Sequence, residues 1–265
     1  MIIAQISDIH ISLKKDENDA HLQRAVAHLL KLPARPDVVI ITGDCVDAGD
    51  HAEYARFLEL LKPLPTPYYV IPGNHDDRRK MLELFGAQGT QPLNGFVQYV
   101  VDDGPVRLIA LDTQVPGKSE GYLSDESLQW LEERLAEAPT RPTLIFMHHP
   151  PIRMGLYALD QMRLVNADAF GAIIARHPQV ERIVAGHIHM SVVRRFAGSV
   201  VLTCPSTAHM FLPDVTHPDV LNVLMEPPAC LIHVWREDTE LITYTSLIGD
   251  HGPVKQIHDG EKWTI

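Results

Sequence analysis

A layered α/β protein is what the sequence predicts, on three observations. Short, β-rich apolar runs alternate with amphipathic stretches of helical period. Five of those runs end abruptly in carboxylate, amide or imidazole groups. No apolar run reaches the roughly 20 residues that span a bilayer, and the 265 residues carry 45% apolar and 22% charged side chains, an ordinary globular balance.

The elements follow in order. Ile2–Ile6 reads as the first strand, and His21–Leu32 as a helix with Leu22, Val26, Leu29 and Leu30 on one face. Val38–Thr42 is the next strand, Ala52–Leu61 a helix, Tyr68–Ile71 a strand and Arg78–Phe85 a helix. Further strands are expected at Val97–Val101, Arg107–Leu111, Thr143–Met147, Arg182–Ala185 and Val200–Thr203. Ser124 caps a helix over Asp125–Leu135 with acids in its first turn, and Asn166 precedes one over Asp168–Arg176. The alternation predicts a largely central sheet. Beyond about residue 205, prolines break the pattern, and this tail is read as strands and loops completing one face, with a contact for an oligomer. Residues 1–265 are expected to form a single domain.

Bulk chemistry narrows the function. The net charge of −11 carries no Lys/Arg block, which disfavours a nucleic acid polymer as partner. Cys45, Cys204 and Cys230 are odd in number and lack CxxC spacing, so they read as packed thiols rather than a disulfide framework. "MIIAQISDIH" has neither a basic leader nor a small-residue cleavage site, so a cytoplasmic location and no membrane association are expected.

The polar groups are placed selectively. "AQIS" runs into Asp8-Ile9-His10, "VVIIT" into Gly43-Asp44-Cys45-Val46-Asp47, and "YYVIP" into Gly73-Asn74-His75-Asp76. "TLIFM" ends in His148-His149-Pro150-Pro151, and "RIVA" in Gly186-His187-Ile188-His189. Alone, an Asp-x-His or a His-x-His is more often a solvated loop than a site. Five together, at the strand ends where α/β ligand sites form, outweigh that reading. The donors are Asp, His and Asn without thiolates, a set suited to Mn, Fe, Co or Zn and not to a Cys-rich structural zinc. They are too many for one ion. Two ions about 3.5–4 Å apart, sharing a carboxylate, are the standard device for in-line displacement at phosphorus.

With these motifs the chain resembles the calcineurin-like metallophosphoesterases, whose pattern is DxH, GDxxD, GNH[D/E], a lone His and GHxH. "GNHDDR", "MHHPP" and "GHIHMS" are most similar to the branch of class III cyclic-nucleotide phosphodiesterases and bacterial glycerophosphodiesterases. The resemblance implies a β-sandwich core flanked by helices, with the metal site at the C-terminal strand ends. It implies that Asp8, His10 and His189 hold one ion, that Asn74, His148 and His187 hold the second, and that Asp44 bridges both. Asn74 would coordinate through a neutral oxygen, leaving His75 to face the substrate, where it would stabilise the phosphorane-like transition state or protonate the leaving alkoxide. "CPSTAHM" resembles the stretch where glycerophosphodiesterase-type members carry a substrate-facing histidine, here His209. Asp47 and Asp76 are expected to orient histidines, with Asp76 setting the tautomer of His75, and His149 to stand behind the ligands. Arg78 and Arg79 read as the solvent face of a helix start, ahead of the alternative that they contact a phosphate or ribose edge.

The implied activity is hydrolysis of small phosphodiesters of cyclic-nucleotide or glycerophosphodiester type by metal-activated hydroxide, in a homo-oligomer. Rival readings are a protein phosphatase, a nuclease and a non-catalytic binding scaffold. "GDCVDAGD" has Ala48 where the phosphoprotein phosphatases place a phosphate-gripping arginine, and Asp76 replaces their glutamate. Scaffold relatives lose ligands, and this chain keeps all five motifs.

Overall fold

The computed structural model describes residues 1–14, 16–86, 88–225 and 227–263. The first half alternates as expected: β1 (Ile2–Ile6), α1 (Glu17–Lys31), β2 (Val38–Ile41), α2 (His51–Leu61), β3 (Tyr68–Val70) and α3 (Arg78–Phe85). Then come β4 (Tyr99–Val101), β5 (Arg107–Ala110), α4 (Asp125–Ala136), β6 (Thr143–Met147), a short α5 (Tyr157–Asp160), α6 (Ala167–Ile174) and β7 (Val180–Ala185). The remainder is β8 (Val193–Phe196), β9 (Ser199–Thr203), β10 (Met210–Phe211), β11 (Val223–Leu224), β12 (Ala229–Arg236) and β13 (Glu240–Leu247).

The strands form two main sheets instead of one central sheet. The first runs β13-β12-β1-β2-β3 and the second β4-β5-β6-β7-β9-β8. Sequence periodicity sees each strand's buried faces but not which strands pair, so one sheet and a sandwich look alike at that level. Alternation along the second sheet shows how the layers separate. Leu108, Ala110, Leu144, Phe146 and Val184 join the core that contains Ile3, Ile40 and Val70 of the first sheet. Their neighbours Ile109, Ile145, Met147 and Ile183 pack with Leu131 of α4 and Phe170 of α6. Helices thus flank a sandwich.

Local signals explain the helix starts. Asp50 and Glu53 form a reciprocal capping box on α2. Asp77 Oδ1 accepts from Lys80 N on α3 at 3.1 Å, and Ser124 Oγ from Ser127 N on α4 at 3.1 Å. The tail completes the first sheet, because β12 pairs antiparallel with β1 and β13 with β12.

Strand direction is what positions the site. β1, β2 and β3 are mutually parallel, as are β5, β6, β7 and β9. Ile6 is opposite Ile41, and Ile41 opposite Val70, so the loops that follow these three strands leave the sheet side by side. Met147 opposite Ala185 does the same in the second sheet. No helix among the described residues is long and apolar enough to cross a membrane.

Candidate metal centre

The loops after β1, β2, β3, β6 and β7 bring Asp8, His10, Asp44, Asn74, His75, His148, His187 and His189 to one region between the sheets. Among the described non-glycine residues eight have positive φ, and five of them are here: Asp8 (52°), His10 (53°), Asp44 (48°), His187 (73°) and His189 (51°). Left-handed backbone costs about 1–3 kcal/mol at such residues and persists only where surrounding structure imposes it. That cost turns five side chains inward. Asn18 helps hold one of them, its Nδ2 donating to the His10 carbonyl at 2.8 Å.

Two donor groups result. Asp8, His10, Asp44 and His189 present ligand atoms within 4.8 Å of one another. In this group the Nε2 atoms of His10 and His189 are 3.2 Å apart, and Asp8 Oδ1 is 3.5 Å from His189 Nε2. In the second group His148 Nε2 is 3.1 Å from Asn74 Oδ1 and 3.2 Å from His187 Nδ1. Asp44 Oδ2 sits between the groups, 3.6 Å from His10 Nε2 and 3.4 Å from His148 Nε2. Its other oxygen, Oδ1, accepts from the His75 backbone N–H at 2.9 Å.

The chemistry of these donors fits bound cations. His148 Nδ1 donates to the Thr42 carbonyl at 2.7 Å, which leaves Nε2 as a lone pair. That lone pair faces the oxygens of Asn74 and Asp44, acceptors all. His189 is in the same condition, because its Nδ1 donates to the His209 carbonyl at 2.9 Å. Converging acceptors repel one another unless a proton or a metal ion lies between them.

Proton affinities report the same demand. Burial disfavours the Asp44 carboxylate, yet His148 and His10 hold it well below its usual range. Burial lowers His148 too, but Asp44 and Asp8 outweigh it and raise the imidazole to about 9. Burial pushes Asp8 up to about 6, against the pull of His148. Burial, then the charge on His10, lowers His189 to about 3, and burial with His148 holds His187 well below the usual histidine value. A proton on His148 supplies the positive charge that Asp44 lacks, and a divalent ion at the same atoms supplies more.

The remaining expected residues divide. His75, 39% exposed in its side chain, puts Nδ1 2.9 Å from the Asp47 carbonyl and 3.6 Å from Asp47 Oδ1. Asp47 Oδ1 is also 3.6 Å from His10 Nδ1, so it stands behind two histidines. Asp76 does not partner His75 as expected. Its carboxylate accepts from the backbone N–H of Gly73 (2.9 Å) and Cys45 (3.2 Å) and from the Tyr54 hydroxyl (3.1 Å), binding the two loops together from beneath. The side chains of adjacent loop residues point apart, which a motif string does not reveal. His149 Nδ1 pairs with the Thr113 hydroxyl at 2.7 Å, behind His187, whose ring centroid is 4.7 Å away. His209 reaches the site, its ring centroid 4.4 Å from that of His189 and 5.9 Å from that of His10.

Arg78 departs from a solvent-face reading. It grips buried Asp112 with two bonds of 2.6 and 2.8 Å. Gln114 beside it donates to the Gly73 carbonyl at 2.8 Å, so the pair anchors the Asn74 loop. Arg79 is exposed and pairs with Glu83 at 3.0 Å. Asp112 and Gln114 fall outside every motif and carried no sequence signal.

A cleft of about 630 Å³ opens over the donors, with His75, His209, Glu17, Asn18, Phe211 and Met225 among its lining.

The chain as a whole falls in a known class. A family model described as calcineurin-like phosphoesterase matches residues 1–191, and the chain belongs to that family. It is 36% identical over 256 residues to the probable glycerophosphodiester phosphodiesterase GpdQ of Arcobacter nitrofigilis, with 94% of each chain covered. It is 33% identical over 221 residues to the 3',5'-cyclic adenosine monophosphate phosphodiesterase CpdA of Escherichia coli, covering 81% of this chain and 79% of that relative. Among solved structures, a dimetal phosphatase from Danio rerio shares the fold, with a TM-score of 0.73 over 94% of this chain and 99% of that one at 16% identity.

Proposed function

We propose that this protein hydrolyses small phosphodiesters with two divalent ions of the Mn, Fe, Co or Zn type. The observation that carries the proposal is the position of Asp44 Oδ2, 3.6 Å from His10 Nε2 and 3.4 Å from His148 Nε2, between two converging donor groups. Asp8, His10 and His189 would hold one ion, Asn74, His148 and His187 the other, and Asp44 both. Such ions, when bound, offset charge on phosphate oxygens and make water more acidic.

The chain's own residues account for the rest. Asn74 contributes a neutral oxygen where an anion must enter. His75 donates Nδ1–H to the Asp47 carbonyl, which orients Nε2 for a proton exchanged with solvent and delivered to the departing alkoxide. His209 and Phe211 wall the cleft on the side of His189. Among the described lining residues there is no Lys or Arg, which favours the single negative charge of a diester over the double charge of a monoester. The names of the relatives GpdQ and CpdA support glycerophosphodiesters or cyclic nucleotides as the substrates.

Three unpaired buried cysteines support a reducing, cytoplasmic setting. Exposed Val215, Val223, Met225, Tyr244 and Trp263 on the tail support a homo-oligomer, checked by sedimentation.

The deciding experiment strips the protein with chelator, restores Mn²⁺ and compares initial rates on an aryl phosphodiester and its monoester. Metal-dependent cleavage of the diester, faster than of the monoester, is expected. Monoester preference would overturn the substrate class, and inactivity on both with two ions bound would favour a scaffold.

A further inference from the structure

Ser206 belongs to none of the five motifs, yet it is fully buried in "CPSTAHM", three residues before His209. Its hydroxyl donates to the Asp8 carbonyl at 2.7 Å. The same oxygen accepts from the backbone N–H of Ala208 at 2.8 Å and of His209 at 3.2 Å. Its one hydrogen and both lone pairs are thereby in use. Backbone bonds fasten the segment separately. Ser206 N–H donates to the His189 carbonyl at 3.3 Å, and Thr207 N–H to the Ser7 carbonyl at 3.2 Å.

The three bonds of the hydroxyl converge on one donor group. Those from Ala208 and His209 close a side-chain turn over the next three residues. That turn presents the His209 carbonyl, which accepts from His189 Nδ1 at 2.9 Å and so leaves the His189 Nε2 lone pair for an ion. The third bond holds Asp8, whose φ of 52° is left-handed and persists only where its surroundings impose it. The Asp8 carboxylate is held from elsewhere, by the His187 backbone N–H at 2.9 and 3.0 Å. Ser206 therefore acts on the backbone from which that carboxylate projects. A hydroxyl that served the tail alone would bond within the tail, whereas this one gives its hydrogen to a residue 198 positions away.

We infer that Ser206 is a positioning residue for the ion site of Asp8, His10 and His189: its hydroxyl fixes the Asp8 backbone and, through the His209 carbonyl, the ring of His189. The inference rests on the proposal that this group and the Asn74 group hold different ions. In the second group His148 turns on the Thr42 carbonyl instead, at 2.7 Å. Removing the Ser206 hydroxyl leaves both backbone bonds of the segment available, so the tail stays attached while the turn loses its brace.

The test is calorimetric titration of metal-stripped, full-length protein with Mn²⁺. Ser206→Ala is expected to weaken one of two binding steps by about 10-fold, the lower end of the range for partners of metal ligands. The weakened step is the one that His189→Ala abolishes, not the one that Asn74→Ala abolishes. Ser127→Ala removes a buried hydroxyl bonded to Gln98, far from the site, and is expected to keep wild-type affinity in both steps. Wild-type affinity in both steps for Ser206→Ala would overturn the inference, as would equal weakening of both or the same weakening in Ser127→Ala. If Ser206→Ala does not fold, Ser206→Cys decides, because a thiol fills the space but bonds only weakly. It is expected to weaken the same step, and wild-type affinity there would overturn the inference. Wild-type protein that binds fewer than two ions would instead overturn the proposed function.

Discussion

A β-carbon at Gly73 would fall 2.1 Å from Oδ1 of Asp44. No conformational demand on Gly73 is involved; the backbone of one loop lies against the carboxylate of another. Gly73→Ala must therefore push Asp44 away from its place between His10 and His148. The expected result is loss of both ions together, with destabilisation of about 1–3 kcal/mol from overpacking. Elemental analysis and urea unfolding of the purified variant check the two parts.

Asp44 and His75 should separate when mutated. Asp44→Asn is expected to bind neither ion. His75→Ala is expected to keep both and to lose about 10²- to 10⁴-fold in turnover, the usual contribution of proton transfer. A His75→Ala protein devoid of metal would place that histidine among the ligands instead.

The pH dependence of the metal-free protein follows from His148, raised from its ordinary 6.5 to about 9. A raised histidine stabilises the fold fully below pH 6.5, and that contribution is lost as pH climbs through 9. His189 and His187 are lowered and so act only below pH 6.5, and Asp8, raised from 3.8 to about 6, also acts below that window. Melting temperature without metal should thus fall between pH 6.5 and 9. Mn²⁺ affinity should rise over the same interval, because the ion displaces the His148 proton. Scanning calorimetry and metal titration at three pH values would show both trends, and a flat Mn²⁺ affinity would refute the coupling.

Arg78 and Arg79 offer a contrast between neighbours. The Arg78 side chain is 18% exposed and its partner Asp112 0%, so Arg78→Ala strands a buried carboxylate at a cost of about 3–5 kcal/mol. Arg79→Ala removes an exposed pair and should change stability by less than about 1 kcal/mol. Chemical denaturation of the two variants side by side tests the difference.

β1–β7, β9 and five of the helices were legible because their apolar periods are uninterrupted, and the proposed donors stood out because each lies directly behind a strand, whereas β10–β13 of the tail were expected only as unplaced strands and loops. α1 begins at Glu17, before the His21 expected from the apolar face, since its first turn, Glu17 to Ala20, holds no buried residue. β8, with three exposed residues and a partly buried Phe196, carried no periodic signal at all. What stayed hidden is pairing across sequence distance. Nothing in "GNHDDR" says that Asp76 turns under its loop toward Tyr54 while His75 turns out toward Asp47. Nothing marks Arg107–Gln114 as the source of the Asp112 and Gln114 anchors.

Each donor group draws on both sheets: Asp8 and His10 meet His189, and Asn74 meets His148 and His187. An ion in either group would act as a rivet through a lap joint, loaded in shear whenever one layer slides on the other. Reactivity and mechanical integrity would then share the same fastener. Removing metal should loosen the seam as a whole and expose it to protease from the cleft side, long before either sheet comes apart.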